Sequence, residues 1–592
     1  MHDISRREGR AFTYPAVFVL ILTLLLTGPL CTRARAAGDV PEVPPETAVI
    51  RETAEAYLRA CAEESMLYEP RDLRAGTVAA PDVIPAPEDE ARTYRISGRD
   101  TTLAQMRENI AFAEKKAAYY AGMRQMQDIY RENLTLAYTF QELTIKDDVC
   151  LVRVTEAAGF RYTDSDIPSV NETVYTLHLI RLDGRWLVAA VTDSSVFDSQ
   201  YKKQGGSFDV DAALAGLAES LEKENCKVSF PYLGSTAPDR IYYDGASAAA
   251  YAYTYARRGP EDQRSDYYNP LFTSYAGHGG DCMNFGSQCM WAGFGGSETA
   301  ASINGRNRPM DVSGSSLWYG RGPDGKGAAN SWISCQSFRK YLTGTADASG
   351  AGGSNAGEDF GMYATILHVG DSAPLTGAAP EELVGAVAHV EGTGGNYCHT
   401  IVITAAEGSR RNQIWFCGHT KNVTHVKLGD CYTCPMKVYI PRYIRTGTSQ
   451  ENTLQPLRIQ PVTAGGTGLL GARTGAPQYR MWLRVTAPDG VSVQTGLTEG
   501  ENACQAEYTF TQPGLYKVEC YAMAEQDAAA ASVTYYIRCC EPEEAPADEE
   551  PDEASDEEAL PEEEGEETEH PEPETEEPEE EIPPENRLPD GI

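Results

Sequence analysis

Apolar and polar positions change period several times along the chain, and each change predicts a different kind of element. Over residues 46–65, Ala54, Tyr57, Leu58 and Cys61 recur on one helical face, and 103–133 carries a longer helical pattern. The period then falls to two. Segments 134–143, 149–157, 172–181 and 186–193 alternate or run rich in β-formers, with Asp183-Gly184 as a hairpin turn between the last two. Helices followed by an antiparallel sheet predict an α+β domain over about 45–200. An amphipathic helix over 210–224 lies in a helical linker, 205–235. A central α+β domain, 240–445, begins with a Tyr-rich helix over 246–257. It passes through a Gly/Ser/Asn-rich stretch, 295–329, and a short helix over 331–342. Strands follow at 384–390, 399–404, 413–418 and 437–440. A last set of alternating strands, 479–487, 506–510, 515–522 and 531–538, predicts an all-β sandwich over 455–540. Pro488-Asp489-Gly490 and Gln512-Pro513-Gly514 are turns within it.

At 592 residues the chain is too long for one core, which agrees with that division. Of its net charge of −37, about −25 falls after Cys540, where 26 acidic residues face one arginine. This Pro/Glu/Asp tail, 541–592, lacks the apolar residues to fold and reads as disordered. There is no basic stripe, so nucleic acid is excluded as a partner. Arg6, Arg7 and Arg10 precede an apolar run, 16–27, and Ala34-Arg35-Ala36 offers a small-x-small cleavage site. Residues 1–36 therefore read as a signal peptide. The mature chain is expected to be secreted or at the cell surface, and no later stretch is apolar enough to span a membrane. Cys431 and Cys434 form a lone CxxC without the second pair that zinc needs, so a local disulfide or two free thiols is expected and no metal. Cys504, Cys520, Cys539 and Cys540 are either cross-links or buried thiols of the sandwich. No cofactor is implied.

The candidate chemistry lies at Gly279-Gly280-Asp281-Cys282-Met283-Asn284-Phe285-Gly286-Ser287-Gln288-Cys289. Asp281 can N-cap a helix running through Phe285 and Cys289, which places Cys282 in the first turn. There, unpaired N–H groups and the positive dipole end favour a thiolate. A nucleophilic cysteine needs a base and a group that orients the base. His399 heads an apolar strand, and Gln413 to His419 forms the return strand. If the hairpin centres near Ser409, His399 faces His419, and either His419 or Asn422 can orient it. A one-residue slip turns His419 to the other face. His278 can line the cleft or lie in an exposed loop. Cysteine, then histidine on a strand, then a polar residue on the next strand is the order of papain-like hydrolases.

Residues 242–443 resemble the family named "Putative amidase domain", found in bacterial secreted and spore-associated proteins. The resemblance is carried by the Tyr-rich segment 246–255, the Asp-Cys-x-Asn-Phe-x-Ser-Gln-Cys run, Ser331-Trp332, the strand from His399 to Thr404, and His419 to Asn422. Where the family has Gly-Asp before the His segment, this chain has Gly385-Ala386. The resemblance implies a papain-like fold with Cys282 and His399 catalytic. In element order the first domain is similar to cone-shaped NTF2-like domains, and the sandwich to Ig-like ones. The expected function is an exported cysteine amidohydrolase or peptidase acting on a peptide or peptidoglycan-like amide. The other reading is a non-enzymatic surface or scaffold protein that retains the fold.

Overall fold

The computed structural model describes residues 45–66, 92–195, 201, 204–229, 238–276, 280–304, 318–323, 327–343, 361–392, 397–446 and 449–542. The segment 1–36 read as a signal peptide, His278, the middle of the Gly/Ser/Asn-rich stretch and the acidic tail from residue 543 lie outside them.

The first helix, Pro45–Met66, buries Ile50, Ala54, Tyr57 and Leu58. A short hairpin, β1 (Thr93–Ile96) with β2 (Arg99–Thr102), leads into the helix Leu103–Met126. Thr102 opens that helix with a capping box: its hydroxyl accepts from Gln105 N–H at 3.2 Å, and the Gln105 side chain accepts from Thr102 N–H at 3.0 Å. The helix ends seven residues before the periodicity does. Asp128 and Asn133 adopt positive φ, 53° and 57°, which no helix continues through. Four antiparallel strands follow: β3 (Arg131–Lys146), β4 (Val149–Tyr162), β5 (Ser169–Leu182) and β6 (Arg185–Asp193). Asp183 and Gly184 turn β5 into β6 with φ of 50° and 80°, the two positive values of a type I′ turn. Both helices lie on this sheet, and Ile50, Tyr57, Ile110, Val152, Leu177 and Trp186 share one core beneath them.

The second half of the sheet belongs to the central region. Its strands are β7 (Cys226–Ser229), β8 (Arg240–Tyr242), β9 (Gly361–Val369), β10 (Val387–Glu391), β11 (Tyr397–Ala406), β12 (Ile414–Gly418), β13 (Val423–Lys427) and β14 (Met436–Arg445). The twelve strands are continuous in the order β3-β4-β5-β13-β12-β11-β10-β14-β9-β7, with β6 on β5 and β8 on β14. The junction is narrow: β13 meets β5 at one pair, Thr424 opposite Val170. Side chains reinforce it. Asp430 is buried and accepts from Arg124 at 2.6 Å, from Arg131 and from the Tyr162 hydroxyl at 2.6 Å. Arg257 pairs with Glu172 at 2.7 Å. On one face of the central strands pack the helices Gly245–Thr254, Cys282–Gly293 and Cys335–Thr343. The expected single helix over 331–342 is two, Asn330–Ile333 and Cys335–Thr343, because Ser334 is extended (φ −127°, ψ 123°).

The last region forms two sheets over one core. One is β15 (Gln455–Leu457), β17 (Thr467–Gln478) and β20 (Glu501–Thr509). The other is β16 (Val462–Thr463), β22 (Ala531–Cys540), β21 (Gly514–Met523), β18 (Arg480–Thr486) and β19 (Ser492–Thr498). Leu470, Met481, Leu483, Val518, Tyr535 and Ile537 fill the space between them. Cys504, Cys520, Cys539 and Cys540 are free thiols, as are Cys431 and Cys434. This region is fastened to the central one through Glu298, which is buried. Glu298 takes Arg458 as its ion-pair partner, Tyr536 N–H at 3.2 Å, the Tyr255 hydroxyl at 2.7 Å and Asn269 at 2.9 Å.

Candidate active site

The helix Cys282–Gly293 carries the motif, and nearly every motif side chain has an identifiable task. Asn284 accepts from the Trp332 indole N–H at 2.9 Å and donates to Thr273 O and Asp281 Oδ1. Ser287 donates to Trp332 O at 2.9 Å and accepts from the Trp318 indole at 3.2 Å. Gln288 accepts from the Tyr251 hydroxyl at 2.8 Å. Cys289 is wholly buried in the core. Gly286 lets the helix approach β11: a Cβ there would lie 2.9 Å from Thr400 Cγ2. These contacts clamp the first turn against the strand that bears His399.

Around Cys282 Sγ the structure gathers three groups. The Cys335 thiol, the His399 side chain and the Thr400 backbone N–H all lie close enough to act on its charge. Together, the Cys335 hydrogen bond first and then the bond and charge of His399, they hold the Cys282 thiol well below the ordinary cysteine range, against the opposing effect of burial. Cys335 Sγ is itself 3.0 Å from Thr400 Oγ1. His389, fully buried, approaches Met283 Sδ with Nε2 at 3.3 Å, and burial pushes it down to about 3, so it is a neutral ring behind the site. Neither Cys335 nor His389 is evident as a site residue in the sequence. Cys335 follows Ser331-Trp332 closely, but only the break at Ser334 directs it to the nucleophile.

The structure brings Cys282 and His399 together but does not bring His419 or Asn422 to His399. The pairing of β11 with β12 sets Val402 opposite Cys417 and Ile403 opposite Phe416. Carried back along the strands, that register puts Thr420, not His419, opposite His399, and turns His419 to the other face. There His419 stacks on Phe285 (centroids 3.8 Å apart) and Tyr268 (4.3 Å). Its Nδ1 lies 3.0 Å from Asp281 Oδ2, and its Nε2 lies 2.8 Å from Tyr255 O. Tyr255 O accepts, and the other ring nitrogen sits against the Asp281 carboxyl group. Asn422 is claimed by Glu172, to which it donates at 2.8 Å, and by the Tyr268 hydroxyl at 3.2 Å. His399 Nε2 is buried without a hydrogen-bond partner among the described residues, and its nearest aromatic neighbour is Tyr432, 6.2 Å between centroids.

Asp281 occupies the N-cap position but makes no side-chain cap bond. Its carboxylate is used instead by Tyr275 N–H at 2.7 Å, Asn284 and His419. His419 is thus a brace of the motif helix. Its replacement by alanine is expected to strand a buried carboxylate and cost about 3 kcal/mol of stability. Urea denaturation checks this: an unchanged midpoint with lowered kcat would instead mark an orienting role.

Residues 242–440 match the family model described as "Putative amidase domain". That description is of an amide-cleaving hydrolase, and the matched span holds Cys282, His399, Cys335 and the bracing pair Asp281–His419. No curated protein matches the chain. Among solved structures, a conserved protein from Planctomyces limnophilus DSM 3776 and the Kfla4162 protein from Kribbella flavida are each 16% identical over 25% of this chain. They are covered over 97% and 93% of their own lengths, both with a TM-score of 0.15, which supports no argument about fold. The CARDB domain of a Pyrococcus furiosus protein is 13% identical over 14% of this chain and 83% of its own, with a TM-score of 0.11. Among the described residues, no cluster of ligating side chains could hold a metal ion, and no helix is long and apolar enough to cross a membrane.

Proposed function

We propose that the chain is an exported cysteine amidohydrolase, acting on an amide of a cell-wall peptide. The observation that carries this reading is the convergence of His399, Cys335 and the Thr400 N–H on the Cys282 sulfur, at the first turn of the motif helix. In this reading the Cys282 thiolate attacks the carbonyl carbon. The developing oxyanion is met by the Cys282 backbone N–H, which points outward at the helix N-terminus. His399 gives its proton to the leaving amine, and the acyl-thioester is then released by a water that His399 deprotonates. Cys335 donates to the thiolate and keeps it populated before substrate arrives. Export rests on the signal-like segment 1–36, and the wall substrate on export together with the amidase match.

Selective alkylation tests the nucleophile. At pH 6, iodoacetamide is expected to label Cys282 first, because Cys150 and Cys417 are pushed up to about 12 by burial and Cys289 is raised as well. Peptide mapping after partial labelling reads the order. Uniform labelling would favour the other class of function, a surface or scaffold protein that keeps the fold without an activated thiol.

A further inference from the structure

A cavity of about 190 Å³ lies where the N-terminal sheet and helices meet the segment that follows β12. Tyr57, Leu58, Phe112 and Val191 give it apolar walls, and Lys421 and Tyr432 close it from the amidase side. At about 30 Å³ per water it has the volume of roughly six waters, enough for a small organic molecule.

The cations in its wall have carboxylate partners, with one exception. Lys116 pairs with Asp193 and bonds Ser195 at 2.7 Å. Arg124 and Arg131 pair with Asp430, and Glu172 pairs with Arg257. Glu156 is raised to about 7 by burial, so much of it is neutral at physiological pH. Among the cations of the wall, Lys421 alone has no hydrogen bond and no carboxylate within 4.0 Å among the described residues. Asp193, the carboxylate that acts on it from farther away, is already held by Lys116 and Ser195. Lys421 is half-buried at the cavity wall, and a ligand that supplies one negative charge there gains a charge-assisted hydrogen bond.

We propose that this cavity is a ligand site, separate from the catalytic cysteine, for a small monocarboxylate with an apolar body, its carboxylate on Lys421. Tyr432 is the wall between the two sites, since it lines the cavity and its ring stands 6.2 Å from His399. The site does not depend on cysteine chemistry.

Calorimetric titration of the full chain tests this, with phenylacetate and N-acetylleucinate as probes and phenylacetamide as the uncharged control. The expected result is saturable binding of at least one carboxylate and at least about tenfold weaker binding of the amide, the worth of one charge-assisted hydrogen bond. Lys421→Met is expected to lose binding by a similar factor at an undiminished melting temperature, and Lys421→Arg to retain it. Cys282→Ala is expected to bind like wild type, which separates this site from the proposed catalytic one. The proposal is overturned by failure of both carboxylates to bind, by equal binding in Lys421→Met, or by a lowered melting temperature in that variant, which would give Lys421 a structural role.

Discussion

Cys282→Ala is expected to lower kcat by at least about 10⁴-fold on any amide the wild-type chain hydrolyses, muropeptides being the first to assay. The reason is local. The substitution removes the sulfur on which His399, Cys335 and Thr400 N–H converge, and it leaves the helix braces at Asn284, Ser287 and Gln288 in place. The melting temperature should therefore hold while turnover disappears. On the proposed mechanism His399→Ala should cost a comparable factor, and the double variant little more than either single one, because a nucleophile and its base act as a unit. Steady-state rates of the three variants decide the matter. A single variant within tenfold of wild type would remove the dyad.

The largest expected effect on stability is at Asp430. Burial by itself raises its carboxyl, but Arg124, Arg131 and the Tyr162 hydroxyl outweigh that and hold it well below the usual carboxylate range. Asp430→Asn leaves two arginines facing a neutral amide in a buried junction, and about 3–5 kcal/mol of stability should go with the charge. The sign of the pH dependence follows from the depressed value. The carboxylate's contribution is complete above the unfolded value near 4, and declines as pH falls from there toward the lower folded value. Wild type and Asp430→Asn should therefore differ most at neutral pH and converge below about pH 4. Urea midpoints of both chains across pH 3–7 test this. A constant gap would mean that the charge is not what holds the junction.

Local pattern was enough to read the antiparallel strands of the first half, because each alternates cleanly and Asp183-Gly184 declares its own turn. The Cys282–His399 pairing was legible for a similar reason: a helix start and a strand start are both visible in sequence. What failed to show depends on long-range partners. The β11–β12 hairpin has near-equal arms, which suggested the wrong register. A bulge between Ile403 and Ala405, together with a short 3₁₀ turn, Arg411–Gln413, shifts it by one residue. Asn422 looked free to orient His399 because its actual partner, Glu172, lies 250 positions away. Cys335 has no sequence signal at all, since its approach to Cys282 depends on one extended residue, Ser334.

The buried Glu298 has a bearing on how this protein can be divided. Arg458, from the sandwich, holds Glu298; Glu298 accepts from the Tyr255 hydroxyl, and the Tyr255 carbonyl accepts from His419; His419 pairs with Asp281, the residue next to Cys282. Arg538 adds two further ties, donating to Thr254 O and Asp266 O at 3.0 Å each. The third of the chain that matches the amidase family is therefore not a self-sufficient cassette. Grafted elsewhere without the sandwich, it would carry an unpaired buried carboxylate four links from Cys282.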